Sequence, residues 1–525
     1  VAGELPPVRR PLLFLCPPKQ RSFTVMPTRR TTTILLAAAT TIAVVLGVGT
    51  PVYAAAPYPN VANDTVWQDA AGTPIKAQGG NVLKVGATYY WVGTGMDKSP
   101  DPANPLPKSV NLYSSSDLEN WAFVKSLVTQ SGTGDFAAGK WLGRPQLVLN
   151  PNTGQFILTV ELGGGRVNSA QKSLGNAVGF FTSASIDGDY SFHGKQYPDG
   201  LTRGDGSIFV DGDNAYMVYV GDSAESRNVS INVAPLSSDW LTLQPHFWTD
   251  TNSNHNEAPA IVKIGAKYYL FASGMNYWAG TPTSYRTSTD LLDWSAWSTM
   301  STEPASNTSF GTQFEQIIPV TGTAGTSYLY NGDRYSQFYA PTADPAPGGI
   351  GRNAWYPVTF SATGVPTLHG NTDVSVDAPA GTLAVNEVAN GRFDQDLPGT
   401  FIPQWTATGT NGAAKVENTT TPGNRQLTLW NAATYNTWVA QSVTLPNGTY
   451  TVSFDYKSSG GQNNAYFSVK NHGSAEIQTP LTAQSSWTAK TVTFTVTTGS
   501  VRIGFWSDGP GGKWTNVDNV SIWKN

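Results

Sequence analysis

The sequence predicts an all-β protein, a five-bladed β-propeller followed by a β-sandwich. Three observations lead there. Charged residues make up only 13% of the chain, while 53 glycines, 17 tryptophans and 22 tyrosines suit short strands and tight turns better than helices. Between residues 60 and 370 an apolar strand, a polar turn and a Tyr/Phe-rich strand recur five times, at 82–91, 147–160, 208–216, 261–269 and 317–330. Their turns lie roughly fifty to seventy residues apart, a period that in an all-β chain reads as propeller blades. From Asn386 a different alternation begins, clear at 450–456 and 491–496, with an Asn447-Gly448 turn before the first.

Taken in order, the chain opens on a segment that is not part of a fold. Met26 is followed by Arg29 and Arg30, an apolar run at 34–48 and small residues ending in Ala54, the order of a secretory signal. Residues 1–54 are therefore expected to be an upstream extension and signal peptide, and the mature protein to be secreted and free of the membrane. Without them 26 basic and 35 acidic side chains remain, a net charge near −9. Such a chain has no attraction to polyanions, so nucleic acid is not an expected partner. The one cysteine, Cys16, leaves with the same segment, which excludes disulfides and zinc-thiolate sites.

The catalytic domain is expected over 55–370. A Ser/Thr-Asp-Leu turn ending in a tryptophan repeats at 113–121 and 285–294 and, shortened, at 236–240; short polar side chains set the turn and the tryptophan packs between sheets. Residues 371–385, rich in Gly, Asp, Pro and Ala without periodicity, read as a linker. The sandwich takes 386–525, an ordinary length for such a domain.

A propeller brings the first strand of every blade to one axis, so polar groups beside those strands can converge. Glu257, two residues before Pro259, belongs at the mouth of a strand. Asp205 precedes Ile208-Phe209 in blade three, Gln313 opens blade five, and Arg144 with Glu161 belongs to blade two. Taken singly, a turn aspartate, a strand amide and a loop glutamate have ordinary structural readings. Met275 reads as filler and Arg334 as a surface partner of Asp333.

The strand mouth at Glu257, the Asp-x-Ser-Ile-Phe strand at 205–209 and the repeated turn resemble glycoside hydrolase family 43. Further segments resemble its exo-β-1,3-galactanase subfamily: Trp67-Gln68-Asp69, 75–80, Tyr90-Trp91 with Asp97-Lys98-Ser99, Arg144-Pro145, Tyr277-Trp278, 331–334 and 354–357. That resemblance implies Glu257 as general acid, Asp205 as the carboxylate that orients it and modulates its pKa, and Gln313, as an imidic acid, as activator of the attacking water. It implies substrate contacts from Gln78, Asp97, Arg144, Glu161, Trp278, Asp333 and Arg334. Most of the wider family carries an aspartate base on the first blade, where this chain has Gln78-Gly79-Gly80; a histidine of the subfamily is also missing there, and Gly143 stands where a glutamate is usual. Glu161 is a neighbouring carboxylate that can restore the last. Glu315, two residues past Gln313 and on the same face by strand alternation, competes for the role of base.

The C-terminal segments 388–393, 447–451 and 517–520 resemble jelly-roll, galactose-binding-like carbohydrate-binding modules. Trp438, Trp506 and Trp514 are its candidate sugar platforms, and Asp518 the candidate ligand of a structural calcium such as relatives hold. The implied function is inverting exo-hydrolysis of β-1,3-galactan, the arabinogalactan backbone, by a monomer needing no cofactor for catalysis. Acid and water activator are expected about 6.5–9.5 Å apart. A β-xylosidase or α-L-arabinofuranosidase of the same fold, and a non-catalytic glycan-binding propeller, are the alternatives.

Overall fold

The computed structural model describes residues 60–63, 65–97, 106–138, 140–163, 176–198, 202–223, 226–250, 256–276, 279–335, 352–394, 398–420 and 424–525. The expected targeting segment, 1–54, lies outside them. Among the described residues every regular element is a strand, apart from the 3-10 turn Gly134–Phe136.

Five sheets follow one another, each with four antiparallel strands in chain order. Their first strands are Val82–Val85, Trp141–Leu149, Thr202–Asp211, Asn256–Ile264 and Gln313–Gly322, and each pairs with the Tyr- or Phe-bearing strand that follows it. The fifth sheet takes an additional strand, Ser301–Glu303, parallel to Pro366–His369. First strands of neighbouring sheets lie against one another.

Polar side chains knit those first strands together. Asn81 donates to the Leu147 carbonyl (3.0 Å) and accepts from its N–H (2.8 Å), joining first sheet to second. Gln316 does the same to Val82 (3.1 and 2.8 Å), joining fifth sheet back to first. Ser207 donates to the Pro259 carbonyl, and Ser273 accepts from the Phe314 N–H, so third meets fourth and fourth meets fifth. Each bond satisfies backbone groups that the sheet ladders leave over.

The repeated turn behaves as expected. Ser115 accepts from the N–H groups of Asp117 and Leu118, and Asp117 from those of Glu119 and Asn120, while Leu118 adopts φ 69°. Trp121 then enters the core beside Trp91 and Trp355, with ring centroids 5.4 and 5.8 Å away. The second copy repeats the bonds at Ser288 and Asp290, with Leu291 at φ 67°.

Residues 371–385 are not the linker expected from their composition. They carry Asp373–Asp377 and Thr382–Val385, which pair with each other and with Asn60–Ala62 in a three-stranded sheet. Val374 and Val376 are buried with the tryptophan cluster, so a five-residue strand hides between glycine and proline signals.

Beyond it, two five-stranded antiparallel sheets share one hydrophobic core, in which Val439, Phe467 and Phe505 of one meet Val452, Phe454 and Val517 of the other. Asn386 ties this region to the preceding sheet: its amide donates to Asp373 and the Val520 carbonyl and accepts from the Ile522 N–H.

Candidate active site

The chemistry-bearing residues stand where the first strands break their own alternation. Register shifts fall between Gly143 and Gln146, Arg203 and Gly206, Glu257 and Ala260, and Phe314 and Gln316. A bulge adds one residue to a strand and re-aims its neighbours. Two of the bulged residues, Arg144 (φ 45°) and Ala258 (φ 53°), occupy the left-handed region, which disfavours a Cβ. The strain is held in place by the bonds that these residues make.

Arg144 is the hub. Its guanidinium donates to Asp205 through Nε (2.9 Å) and Nη2 (3.0 Å), to Gln313 Oε1 (2.7 Å) and to Glu315. Asp205 also accepts from the Ala258 N–H (3.1 Å), so it fixes the backbone next to Glu257. Because a guanidinium only donates, Gln313 turns its carbonyl oxygen to Arg144 and its NH2 to Glu257, at 2.7 Å from Oε1. The expected gap between acid and water activator is therefore not present. Two long side chains from neighbouring first strands reach across the opening and meet.

The site has two levels. Asp205, Glu257 and Gln313 are partly exposed, whereas Arg144, Glu315, Asp333 and Tyr335 are buried behind them. Burial, with Asp333 and Asp205 nearby, pushes the Glu315 carboxyl well above its usual range in spite of Arg144. Burial likewise pushes Asp333 up to about 6, although the Gly79 N–H and Arg144 favour its charge. Asp205 and Glu315 hold the Arg144 guanidinium protonated against the cost of burial. Glu315 thus reaches Arg144 as Gln313 does, but from the buried side, where it does not face the opening as an alternative base should.

Gln78 is fully buried and donates to Asn353 Oδ1 (3.2 Å), and Asn353 donates in turn to Asp333. Gly79 (φ 70°) gives its N–H to Asp333, and a Cβ there would lie 2.8 Å from the Tyr335 hydroxyl. Glu315, bonded to Arg144, also shares a hydrogen bond with Asp333, so one network joins Gln78, Arg144, Asp205, Glu257, Gln313 and Asp333, residues up to 255 positions apart in sequence.

The sequence model of glycosyl hydrolases family 43 matches residues 74–344, just over half of the chain and the stretch that holds every named member of this network but Asn353. The chain belongs to that family. As a family-43 member it is a glycosidase on a β-propeller. Its structure is similar to that of an exo-β-1,3-galactanase from Phanerochaete chrysosporium solved with β-1,3-galactotriose, at 22% identity and a TM-score of 0.56, over 89% of this chain and 100% of that one. It is also similar to an exo-β-1,3-galactanase from Clostridium thermocellum, at 22% identity and a TM-score of 0.53, over 88% and 100%. No curated protein matches by sequence.

Other expected contacts of the glycosidase fall out differently. Glu161, opposite Gly143 in the ladder, accepts from Trp141 Nε1 (2.9 Å) and Asn176 Nδ2 (2.6 Å). A Cβ at Gly143 would lie 2.2 Å from the Trp141 indole nitrogen, so Trp141 occupies the space that a larger residue at 143 needs. Arg334 is not a surface partner of Asp333: it is buried and donates to the Tyr356 hydroxyl (2.6 Å) and the Phe310 carbonyl. Met275 fills nothing, being 47% exposed. Asp97 ends its strand with its side chain outside the described residues, as Trp278 is altogether. Sequence reasoning missed Tyr335, Asn353 and Trp141. Each lies beside a quoted motif, and only the fold shows that it turns inward.

In the C-terminal region Trp438 and Trp506 are cross-strand partners, each half-buried, and Tyr466 extends the row on the next strand. Trp514 stands apart on the other sheet, opposite Trp430. Asp518, the expected calcium ligand, is buried. Its carboxyl accepts from the Asn519 N–H (2.7 Å) and lies beside Asn424 and the Arg392 cation, and no group of three acidic, histidine or cysteine ligands stands together among the described residues. A guanidinium already supplies positive charge there.

Proposed function

We propose that this glycosidase is secreted as residues 55–525 and removes galactose from the ends of β-1,3-galactan, with inversion. In this reading the five sheets are five propeller blades, and residues 386–525 form a β-sandwich that binds the polysaccharide, the protein acting as a monomer. The observation that carries it is the first-sheet position: Gln78 stands there buried and bonded to Asn353, so an amide occupies the place where most of the wider family carries its base aspartate. Among the described side chains Glu257 and Asp205 are the partly exposed carboxylates of the network, with Gln313 between Glu257 and Arg144. Structural likeness to proteins described as exo-β-1,3-galactanases supports the choice of substrate.

Glu257 gives its proton to the glycosidic oxygen. Asp205 holds the backbone at Ala258 and so aims it. Gln313, as an imidic acid, holds the attacking water on the opposite face of the sugar: its imine nitrogen takes the water's proton as the water oxygen bonds to the anomeric carbon, and its hydroxyl proton passes to solvent, which restores the amide. For a ring to enter, the Gln313–Glu257 bond opens and the two groups part to about 6.5–9.5 Å, the separation that leaves room for water. An imidic acid carries its proton on Oε1, the atom that faces Arg144, so Arg144 then keeps only Asp205 and Glu315, to which it is already bonded. Side chains alone supply this chemistry. Incubation of the mature protein with β-1,3-galactan, xylan and arabinan, with the products identified, tests the substrate. Galactose from the first is expected; xylose or arabinose as the main product overturns the reading.

A further inference from the structure

A cavity of about 240 Å³ lies away from the catalytic network, lined by Asn60, Val61, Trp67, Gln68, Glu119 and Asn120 among others. Its place follows from the first sheet. The strand Thr88–Asp97 runs from Tyr89, opposite Ser115, to Met96, which packs on Tyr335 of the active site. Glu119 belongs to the turn after Ser115, so the cavity sits at the far end of that strand, roughly 20–25 Å from Tyr335 at 3.3 Å per residue.

The lining is unusual in its polar groups. Glu119 is only partly exposed, and no hydrogen bond or ion pair engages its carboxyl among the described residues. Asn60 gives its Nδ2 to Asp373 (3.0 Å) and leaves a buried Oδ1 unmatched. The excess is therefore of acceptors, and the group that satisfies them must bring donors. Gln68 and Asn120 add exposed amides, and Trp67, Val61 and Leu118 add apolar wall. Donors on a body with apolar faces describe a pyranose. The volume is below the ~300–1,000 Å³ of sites that enclose drug-sized ligands, which suits one sugar unit.

We propose that this cavity is a second glycan-binding site, which takes a single neutral pyranose unit of the polysaccharide while the active site works on another. A simple cation is the competing occupant. Burial, then Asp117 and Asp373, pushes the Glu119 carboxyl up to about 7, so in mildly acidic solution it is neutral and suits hydroxyls rather than a cation. The identity of the sugar as galactose rests on the proposed function; the site itself does not.

Two variants of the full-length protein test it, Glu119→Leu and Glu119→Gln, with Gln68→Ala as a check on the rim. Glu119→Leu is expected to lower turnover of polymeric β-1,3-galactan roughly 10-fold, less than the about 10²–10⁴ that an optimally linked second attachment gives, without changing kcat/KM on β-1,3-galactobiose. Glu119→Gln keeps hydrogen-bonding capacity and is expected to retain most of that turnover, and Gln68→Ala to lose an intermediate share. Crystals soaked in galactose should show the sugar against Glu119. Equal rates for Glu119→Leu and wild type on the polymer, or a calcium or ammonium ion displacing sugar from the cavity, overturns the proposal. Should the wild type prefer another polysaccharide, that polymer and its disaccharide replace galactan in the same comparison, so failure of the substrate reading and failure of the site are told apart.

Discussion

Arg144 decides how the site is held, because three partners on two other sheets converge on one buried guanidinium. Removing one member of a buried ion pair leaves an uncompensated charge, typically at a cost of about 3–5 kcal/mol. Arg144→Leu should lower stability by about that amount in urea unfolding, and the double variant Arg144→Leu/Glu315→Leu should recover much of it. A double variant no more stable than the single one contradicts the pairing. Glu257→Gln, which keeps shape but loses the acidic proton, should reduce turnover by about 10²–10⁴ while sugar binding and the melting temperature hold. At this scale the sequence was partly legible. Glu257, Asp205 and Gln313 could be picked out as candidates from their places near the start of recognisable strands and from the family resemblance, and the fold brings the three together. The depth of Glu315 could not, since plain alternation put it beside Gln313 and the bulge between Phe314 and Gln316 buries it. Tyr335 and Asn353 gave no local signal, for their role is to meet groups from the first sheet.

Elements in this fold are joined by side chains that imitate strands. Asn81 and Gln316 each supply a donor and an acceptor to one residue of the next sheet. Asn81→Leu leaves the N–H and carbonyl of Leu147 without these partners, at about 1–3 kcal/mol for each buried group. A fall in melting temperature with unchanged activity per folded molecule is expected; an unchanged melting temperature shows that the bridge is replaceable. Strand and turn elements were the most legible part of the sequence, because the hydrophobic runs and the Asp-Leu-x-x-Trp turns are local signals. The strand Asp373–Asp377 was not, because its Asp-Val-Ser-Val-Asp alternation is only five residues long, is buried on both faces, and sits among turn-forming Gly, Asn and Pro residues. Composition read those residues as a linker, and pairing with Asn60–Ala62, over three hundred positions away, overrode it.

Across the whole molecule, carboxyl groups outside the active site predict how stability follows pH. Burial is the main cause that pushes Glu119, Glu387 and Asp518 each up to about 7, with Asp117 and Asp373 adding to it at Glu119 and Glu303 at Glu387. These groups bind more protons folded than unfolded between the ordinary carboxylate range and about pH 7. Stability is therefore lost as pH rises through that window. The melting temperature should be higher at pH 5 than at pH 8, and Glu387→Gln should narrow the difference; a flat profile argues against it. Truncation before Asn386 removes the amide that binds Asp373, so the remaining propeller should melt lower yet still turn over small substrates. Equal loss on small and polymeric substrates shows that the C-terminal region belongs to the catalytic fold.

Glu257 and Gln313 are proposed to act from opposite faces of a galactose ring at the end of a β-1,3-linked chain. Proton NMR of the wild-type protein during the first minutes of β-1,3-galactan hydrolysis tests it most directly, before the anomers equilibrate. With inversion, the α-anomer of galactose is expected to appear first. Initial release of the β-anomer, or of no galactose at all, contradicts it.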